Sequence, residues 1–562
     1  MLICGLKLTH DGAVALIDGN RLITSVETEK LDNGYRYSEL GDLTVVESVL
    51  KDVGVGTDDV DAFVVDGWGH GEERPQVTTR YRSKEILLAV APYREERLED
   101  DTTLPRVFQG LPWKKTSYRS YNHATGHVFS AYCASPFAAS GQPALVLVWD
   151  GGVLPRCYRI RAGQQPVVEN LGPIFGLIGN VYPTFAMHFP PFRPEDLGDD
   201  GRSAYRQLTV PGKVMAYTAL GEVRSDLCDV MDDIYDQHLT LSLEFAGMFS
   251  EEFLRRTAER EVEPADAMAS FQHWVGGRLV QGLALLRQRC PDLPMNLVLS
   301  GGCALNIKWN SRIRAGGLFE KVWVPPFPND SGSALGVACA EMSRLTGTPT
   351  LDWSVYSGPE MIVGEDVDGW TNGPLDVFGL ARLLHETGEP VLILHGRAEL
   401  GPRALGNRSI LAAPNRPEMK DLLNKLKGRE YYRPVSPICL EHRAPEVFDP
   451  GVPDPYMLFE HQVRDTWQSR VPAVMHLDGS ARLQTVNHHQ NPVVAEVLEE
   501  YARLSGIPVL CNTSANNSGR GFFPDVASAL RWGRTRYVWN GGRLWTRTGD
   551  GQRAMAERTV DQ

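Results

Sequence analysis

The sequence predicts an α/β protein with two domains, and three observations lead to this fold class. The chain has 562 residues, more than a single hydrophobic core usually serves. Two apolar runs, Ala144–Asp150 and Asn296–Ser300, each end in a polar side chain followed by two glycines, which suggests a duplicated α/β core. A loop-rich stretch from Asp352 to Gly373 then precedes a second α/β region. We place the domains at residues 1–355 and 356–562, with the last residues expected to pack back on the first domain.

Composition narrows the class of protein. Hydrophobic residues make up 42% of the chain and charged residues 23%, which is ordinary for a soluble globular protein. The net charge of −13 argues against nucleic acid as the main partner. The nine cysteines are scattered without any C-x-x-C, so neither a zinc ribbon nor a disulfide framework is predicted. Because no signal peptide or membrane-spanning run is visible, we expect a cytoplasmic, reduced protein without a membrane partner.

The chain begins with a predicted strand, a glycine-bearing loop and a β-hairpin turning at Asp18-Gly-Asn20. Strands are predicted at Leu2–Leu8, Ala13–Ile17, Arg21–Glu27 and Ala62–Asp66. This start is typical of the phosphate-facing corner of actin-like nucleotide folds, although any β-hairpin start fits as well. The stretch from His70 to Ser120 shows no clear period and is predicted to be an irregular insertion or lid.

Two histidines stand four residues apart in Tyr121-Asn-His-Ala-Thr-Gly-His127, so a helix would bring both imidazoles to one face. Asp150 and Asp330, each followed by a glycine-bearing turn, are carboxylates that could join them. Two histidines and two aspartates suit a first-row divalent metal, although such a histidine pair alone is more often structural. The motif lacks the glutamate of H-E-x-x-H, which disfavours a zinc protease.

Glycine pairs at 151–152 and 301–302 would let a nucleotide approach backbone N–H groups closely, although tight packing turns explain them equally well. A helix is predicted to start at Pro211, which would place Lys213 where it could meet a phosphate. A solvated helix lysine is the simpler interpretation of Lys213. Apolar residues at helical spacing predict a further helix from Ala265 to Gln288.

Part of the second region carries an excess of positive charge, although the chain as a whole is negative. It opens with a predicted helix, Val377–Glu386, and a predicted strand, Pro390–Leu394. Residues 397–433 carry nine Lys or Arg against four Asp or Glu. Arginines match planar oxyanions and lysine supplies a point charge, so an anionic substrate such as a phosphate ester is favoured over a solvated face. Asn512-Thr-Ser514, after a predicted strand at Ile507–Leu510, could bind a ligand.

Seven motifs, in order over nearly the whole chain, resemble the NodU/CmcH family of O-carbamoyltransferases. They are His10-Asp-Gly, His123-x-x-x-His127, Asp150-Gly-Gly, Ser300-Gly-Gly-x-Ala-Leu-Asn306, Gly401-Pro-Arg-Ala-Leu-Gly-Asn-Arg-Ser409, Lys427-x-Arg-Glu-x-x-Arg-Pro434 and Asn512-Thr-Ser514. The layout is especially similar to the branch that acts on antibiotics, including the cephem and aminoglycoside enzymes.

The resemblance implies a Kae1-like N-terminal domain of the actin/Hsp70 ATPase type and a YrdC-like C-terminal domain. The YrdC-like domain would convert carbamoyl phosphate and ATP, with Mg²⁺, into carbamoyl adenylate. The Kae1-like domain would then transfer the carbamoyl group to a hydroxyl of a natural product such as an antibiotic, with AMP leaving.

The resemblance also implies roles for single residues. The metal ligands would be His123, His127, Asp150 and Asp330, with iron favoured and zinc or manganese left open. His10 would be the general base, and Lys427 and Arg403 would act in adenylate formation. Carbamoyl phosphate and ATP would contact Arg403, Lys427, Arg429, Arg433, Arg482, Asn512 and Ser514. A nucleotide in the Kae1-like domain would contact Gly151, Gly152, Lys213, Gly301, Gly302 and Asn306.

The sequence departs from the family pattern at two motifs. Leu8-Thr9 precede His10 where some relatives carry an acid, and Asn512-Thr-Ser-Ala-Asn516 lacks the usual aromatic residue. The stretch 70–120 matches no motif and is expected to shape acceptor access. Two other functions stay open, a tRNA threonylcarbamoyl-type transferase and a non-catalytic nucleotide- and metal-binding subunit. The acidic balance disfavours the first and the complete residue sets disfavour the second. A homodimer is compatible with the sequence.

Overall fold

The structure is a computed structural model, and it describes residues 1–69, 75–95, 97–113, 117–161, 163, 167–197, 205–238 and 244–548. The chain forms two compact units. One contains Met1–Thr28 and Tyr37–Ser354, and the other contains Glu29–Arg36 and Val355–Gln562. That the segment Glu29–Arg36 belongs with the second unit was not predicted. The expected return of the last residues to the first domain falls on 549–562, outside the described residues.

The first unit opens with a mixed sheet. Its elements are β1 (Leu2–Lys7), β2 (Ala13–Asp18), β3 (Arg21–Glu27), α1 (Thr44–Asp52), β4 (Ala62–Asp66), β5 (Gln76–Tyr81), β6 (Lys84–Ala89), β7 (Arg106–Phe108) and β8 (Tyr118–Tyr121). The strand order is β3-β2-β1-β4-β8-β7. β1 is antiparallel to β2 and parallel to β4. The four strands predicted at the start of the chain are confirmed.

The prediction of an irregular stretch between residues 70 and 120 is wrong where β5, β6, β7 and β8 form, and the described residues between β6 and β7 and between β7 and β8 form neither helix nor strand. β5 and β6 pair as an antiparallel hairpin, and β7 extends the first sheet beside β8. Burial alternates along β5, so one face of this strand is covered although the sequence shows no clear period.

A second sheet repeats the strand order of the first. The next elements are α2 (His123–Cys133), α3 (Pro136–Ala139), β9 (Ala144–Val148), β10 (Arg156–Arg161), β11 (Val167–Pro173), α4 (Val181–Ala186), α5 (Arg206–Tyr217), α6 (Ser225–His238), α7 (Phe245–Thr257), α8 (Pro264–Arg289), β12 (Asn296–Ser300), α9 (Ile307–Ala315), β13 (Lys321–Trp323) and α10 (Ser333–Thr346). The order β11-β10-β9-β12-β13 has the same strand senses as β3-β2-β1-β4-β8, antiparallel in the hairpin and parallel thereafter. The core predicted from repeated motifs is therefore duplicated in topology.

Helices α2 and α10 of this unit pack so closely that their backbones are in contact. A Cβ atom on Gly336 of α10 would lie 1.9 Å from the carbonyl oxygen of Gly126 in α2. This close approach brings α2 against the start of α10. The helix predicted at Ala265–Gln288 is confirmed as α8, whereas the helix predicted to start at Pro211 begins at Arg206. Pro211 lies inside α5, where the missing N–H costs one helical hydrogen bond.

The second unit is built on an eight-stranded sheet of order β14-β24-β23-β15-β16-β22-β17-β21. Its elements are β14 (Trp370–Pro374), α11 (Val377–Thr387), β15 (Val391–Leu394), β16 (Arg408–Ala412), α12 (Glu418–Leu426), β17 (Ser436–Leu440), α13 (Ala444–Val447), β18 (Phe448–Asp449), β19 (His461–Val463), α14 (Asp465–Gln468), β20 (Ser480–Ala481), β21 (Gln484–Val486), α15 (Pro492–Ser505), β22 (Val509–Ser514), α16 (Val526–Trp532), β23 (Tyr537–Asn540) and β24 (Arg543–Arg547). The predicted helix and strand that open this region are confirmed as α11 and β15. Among the described residues of both units, no helix is long and apolar enough to cross a membrane.

Candidate metal centre and anion site

The metal-ligand candidates of the first unit come together at one edge of its sheets. His123 and His127 lie one turn apart on α2, Asp150 follows β9, and Asp330 lies in the turn before α10. One ligand atom from each of the four side chains falls within 4.8 Å of all the others. The Nε2 atoms of the two histidines are 3.1 Å apart, and Asp330 Oδ1 lies 3.2 Å from His123 Nε2. The structure thus assembles the four residues that the sequence singled out.

Two buried charges behind this cluster were missed by the sequence analysis. Lys7 ends β1 and Asp66 ends β4, and these parallel strands place both side chains at the same edge. Lys7 Nζ lies 3.0 Å from Asp66 Oδ2 and 2.9 Å from Asp330 Oδ2. Asp66 Oδ2 lies 2.7 Å from His123 Nδ1. The sequence feature that could have revealed Lys7 and Asp66 is a charged side chain at the end of an apolar strand.

The Asp66–His123 hydrogen bond orients the imidazole for ligation. When the Nδ1–H group donates this hydrogen bond to the carboxylate, the lone pair of His123 Nε2 faces Asp330 and His127. Burial raises the pKa of Asp66, but His123 and Lys7 lower it more, so the pKa stays below its usual value. The group at position 66 is therefore an ionised acceptor.

The charges of the cluster match a divalent cation. Burial lowers the pKa of His123, but Asp330 and Asp66 raise it more, so that it lies well above its usual value. A metal ligand must be a neutral imidazole. With both imidazoles neutral, the carboxylates of Asp66, Asp150 and Asp330 and the ammonium of Lys7 leave two uncompensated negative charges in a buried place. Buried carboxylates require positive partners. Two nitrogen and two oxygen ligands that converge in this way fit iron, zinc or manganese.

Asp150 is fixed by neighbours on both oxygens. Its Oδ1 accepts a hydrogen bond from the N–H of Gly302 at 2.7 Å, and its Oδ2 accepts one from the Tyr93 hydroxyl at 2.5 Å. Gly301 adopts a φ of +86°, and a Cβ there would lie 2.3 Å from the Trp149 carbonyl oxygen. Gly301 and Gly302 therefore form a tightly packed turn that also orients the Asp150 carboxylate. Tyr93, within the supposed lid, was not predicted.

His10 lies beside the same cluster, and its side chain is 18% exposed. Its Nδ1 is 3.0 Å from Asp11 Oδ2, and its Nε2 is 3.6 Å from Asp330 Oδ2. Burial lowers the pKa of His10, but Asp330 and Asp11 raise it more, so the pKa lies above its usual value. Asp11, which follows the histidine, therefore contacts one nitrogen of the ring, and Asp330 lies near the other.

The other nucleotide candidates of the first unit lie in different surroundings. Gly152, next to Gly151, lines a cleft of about 510 Å³ together with polar side chains. Lys213 lies in α5 and is not among the described residues that line this cleft. Asn306 caps α9, and its amide exchanges two hydrogen bonds with Gln272.

In the second unit, Lys427 is buried with its ammonium among oxygen atoms. Nζ donates to the Ser514 carbonyl oxygen at 2.7 Å and to both the carbonyl and the side-chain oxygen of Asn516. Burial, reinforced by neighbouring arginines, holds the pKa of Lys427 well below its usual range. A bound anion would favour the charged form of this lysine.

Arginines lie close to this lysine and to one another, and four of them are candidates from the sequence, Arg403, Arg429, Arg433 and Arg482. Arg429 donates to Thr513 Oγ1 at 3.1 Å and to Ser514 Oγ at 3.3 Å. Burial and the nearby Arg433, Arg36 and Arg403 lower the pKa of Arg429 to about 9. Burial and then Arg403, Arg429 and Arg433 likewise lower the pKa of Arg482. Guanidinium groups that repel one another in a buried place need anionic partners.

Asn512 and Ser514 lie on β22 at the edge of this arginine cluster. Asn512 Nδ2 donates to the Ala404 carbonyl oxygen at 3.1 Å and to Gln484 Oε1 at 2.7 Å. It thus supports the loop that carries Arg403. The Ser514 hydroxyl contacts Arg429 and donates to Asn516 Oδ1 at 2.6 Å.

Comparisons with known proteins agree on one family. Residues 2–339 match the family model described as Carbamoyltransferase N-terminus, and residues 381–538 match Carbamoyltransferase C-terminus. Nodulation protein U of Sinorhizobium fredii is 46% identical over 574 residues, which covers 97% of this chain and 99% of that protein. The 3'-hydroxymethylcephem-O-carbamoyltransferases of Amycolatopsis lactamdurans and Streptomyces clavuligerus are each 34% identical, covering 96% of this chain and 97% of each relative.

These matches define an enzyme that transfers carbamoyl groups. The chain belongs to the carbamoyltransferase family, and the protein is an O-carbamoyltransferase. Its identity is higher to the nodulation protein than to the cephem enzymes, a difference that the short motifs do not register.

Proposed function

We propose that the protein is an ATP-dependent O-carbamoyltransferase with its two half-reactions divided between the two units. The observation that carries the proposal is the presence, in one chain, of a buried cation cluster around Lys427 and a His-Asp cluster beside His10. The cation cluster around Lys427 suits phosphorylated substrates, and the His-Asp cluster suits proton removal from a hydroxyl.

The second unit would form carbamoyl adenylate. Water converts carbamoyl phosphate into carbamate and phosphate, and a carbamate oxygen then attacks the α-phosphorus of ATP. A P–O bond forms, the bond to the β-phosphate breaks, and pyrophosphate leaves. Lys427 and its arginine neighbours would bind the phosphoryl oxygens and stabilise the charge that develops on them. Mg²⁺ would accompany ATP.

The first unit would transfer the carbamoyl group. His10 Nε2 would accept the proton of the acceptor hydroxyl, while Asp11 holds the opposite ring nitrogen and so fixes the tautomer. The new C–O bond forms as the bond to AMP breaks. A metal held by His123, His127, Asp150 and Asp330 would supply Lewis acidity there, and we favour iron.

The fold assignments follow the same division. The repeated strand order in the first unit supports a Kae1-like domain of the actin/Hsp70 type, with a nucleotide held near Gly151, Gly152, Gly301 and Gly302. We propose a YrdC-like domain for the second unit and place the enzyme in the cytoplasm, where both phosphorylated substrates are made.

Two variants test the division of labour. We expect Lys427→Ala to abolish pyrophosphate release from ATP and carbamoyl phosphate, because the buried ammonium is lost. We expect His10→Ala to retain pyrophosphate release and to lose carbamoyl transfer. Pyrophosphate release and product mass are measured side by side. A wild-type protein that releases no pyrophosphate, or a His10→Ala variant that loses both steps, would contradict the proposal.

The acceptor is proposed to be a hydroxyl of a natural product. Mass spectrometry of products from a panel of hydroxylated macrolide, cephem and aminoglycoside acceptors tests this class. Carbamoylation of any member identifies the class of acceptor, and binding of tRNA with strong salt dependence would favour the alternative transferase instead.

A further inference from the structure

The segment between β3 and α1 leaves the first unit and returns to it. Its two ends are tied together, since Thr28 Oγ1 donates to the Ser38 carbonyl oxygen at 3.1 Å. Between these ends, Glu29–Arg36 belongs to the second unit. We call residues 29–36 the inserted loop. An excursion of eight residues into another compact unit needs specific anchors, because it offers little apolar surface of its own.

One anchor is a buried lysine. Lys30 Nζ donates to the carbonyl oxygens of Glu399 and Gly401 at 2.7 and 2.8 Å, and it lies 5.0 Å from the ring centre of Phe522. Gly401 opens the motif loop that carries Arg403. Lys30 therefore holds one wall of the anion site.

The other anchor is backbone pairing. The N–H of Arg36 donates to the Gly519 carbonyl oxygen at 3.0 Å, and the N–H of Gly521 donates to the Gly34 carbonyl oxygen at 2.9 Å. A Cβ on Gly521 would lie 1.8 Å from the Glu29 carbonyl oxygen, so only glycine admits the loop there. This pairing follows directly after Ser514 and Asn516, which contact Lys427.

The inserted loop thus contacts the chain next to two of the segments that form the anion site, the loop of Arg403 and the residues after Ser514 and Asn516. We propose that it forms part of this site and that Arg36 binds a phosphoryl group of carbamoyl phosphate or of ATP, an inference that rests on the proposed function. Besides this geometry, Arg36 is among the charges that, after burial, lower the pKa of Lys427 and of Arg429, so its guanidinium lies close enough to act on both electrostatically. Lys30 acts as a positioning residue.

The experiment measures anion binding directly. Inorganic pyrophosphate is titrated into the full-length wild type and into Arg36→Ala by calorimetry, with Arg403→Ala as a positive control. Arg536→Ala, at an exposed ion pair with Glu389, is the matched arginine control. We expect Arg36→Ala to bind pyrophosphate about tenfold more weakly, as the loss of one charge-assisted hydrogen bond implies, and Arg536→Ala to bind as the wild type does. The KM values of Arg36→Ala for carbamoyl phosphate and for ATP are measured as well. The substrate whose KM rises is the one whose phosphoryl group Arg36 binds.

Each outcome decides a different question. Pyrophosphate affinity of Arg36→Ala within twofold of wild type, with Arg403→Ala impaired, would overturn the inference and leave the proposed function standing. A wild type that neither binds nor releases pyrophosphate would overturn the proposed function itself. If Arg36→Ala fails to fold, Arg36→Gln takes its place with the same expected and contrary results, because glutamine keeps the polar stem without the charge.

Discussion

At the scale of single residues, the first site combines ligands that the sequence predicted with charges that it did not. The i, i+4 spacing of His123 and His127 was visible because helical geometry is local. Lys7 and Asp66 were not visible, because their meeting depends on the parallel register of β1 with β4. Register across separate strands is set by tertiary packing rather than by neighbours in sequence.

Asp66→Ala should weaken metal binding without removing a ligand. The substitution leaves His123 Nδ1 without its acceptor and Lys7 without one of its two carboxylates. Loss of such an outer hydrogen bond typically reduces metal affinity about 10- to 100-fold. Metal content after competition with a graded chelator, measured by elemental analysis, checks this. Glu341→Gln is the control, since Glu341 is also buried and paired but lies outside the cluster. Equal metal affinity in wild type and Asp66→Ala would refute the role of Asp66.

Lys427 should couple anion binding to proton uptake. Its pKa is well below the usual range in the free protein, and a bound anion raises it by favouring the ammonium. Between the two pKa values, binding takes up a proton, so pyrophosphate affinity falls as pH rises through that window. Calorimetry in buffers of different ionisation enthalpy measures the uptake, and Lys427→Met should remove it. Proton release on binding to the wild type would contradict the sign.

At the scale of elements, strands with a clear apolar run were predictable, whereas the hairpin of β5 and β6 was not. The turn between β5 and β6 consists of Arg82 and Ser83, with φ of 50° and 66°. Two-residue turns of this kind usually contain Asn or Gly, so the sequence carried no turn signal. Asp42 stabilises the turn instead, because its carboxylate accepts hydrogen bonds from the N–H groups of both turn residues at 3.3 and 3.2 Å. A distant carboxylate thus stabilises a turn whose own residues disfavour it.

Replacing this turn by Asn-Gly should stabilise the hairpin. Arg82→Asn with Ser83→Gly removes the strain of left-handed backbone, about 1–2 kcal/mol per residue, and keeps both N–H groups for Asp42. The substitution removes the ion pair of Arg82 with Glu47, which is exposed and contributes little to stability. Slower amide hydrogen exchange within residues 76–89 checks the gain. Asp42→Ala should accelerate exchange of the same amides, and faster exchange in the Asn-Gly variant would show that side-chain contacts outweigh the strain.

At the scale of the whole molecule, the repeated apolar strand and glycine pair were enough to predict a duplicated core. The inserted loop was not predictable. Residues 29–36 directly follow a well-formed strand and precede a helix of the first unit, and nothing in their composition separates them from it. Partners several hundred residues away, among them Glu399, Gly401 and Gly519, define where this loop belongs.

The division of labour makes a prediction for mixtures of variants. His10→Ala keeps the cation cluster of the second unit, and Lys427→Ala keeps the His-Asp cluster of the first. An equimolar mixture should therefore regain carbamoyl transfer, at a rate well below that of the wild type. The mixed anhydride must cross the solvent between two molecules and is exposed to water on the way.

The dependence on protein concentration distinguishes exchange of the mixed anhydride between molecules from residual activity of either variant alone. Product formation, followed by mass spectrometry with the acceptor in excess, should increase as Lys427→Ala is raised against fixed His10→Ala, because capture of the intermediate is bimolecular. The double variant, added in place of either single variant, should give no increase, since it lacks both activities. A mixture that forms no product at any ratio would mean that the intermediate is never released, and that each molecule must carry out both steps on its own substrate.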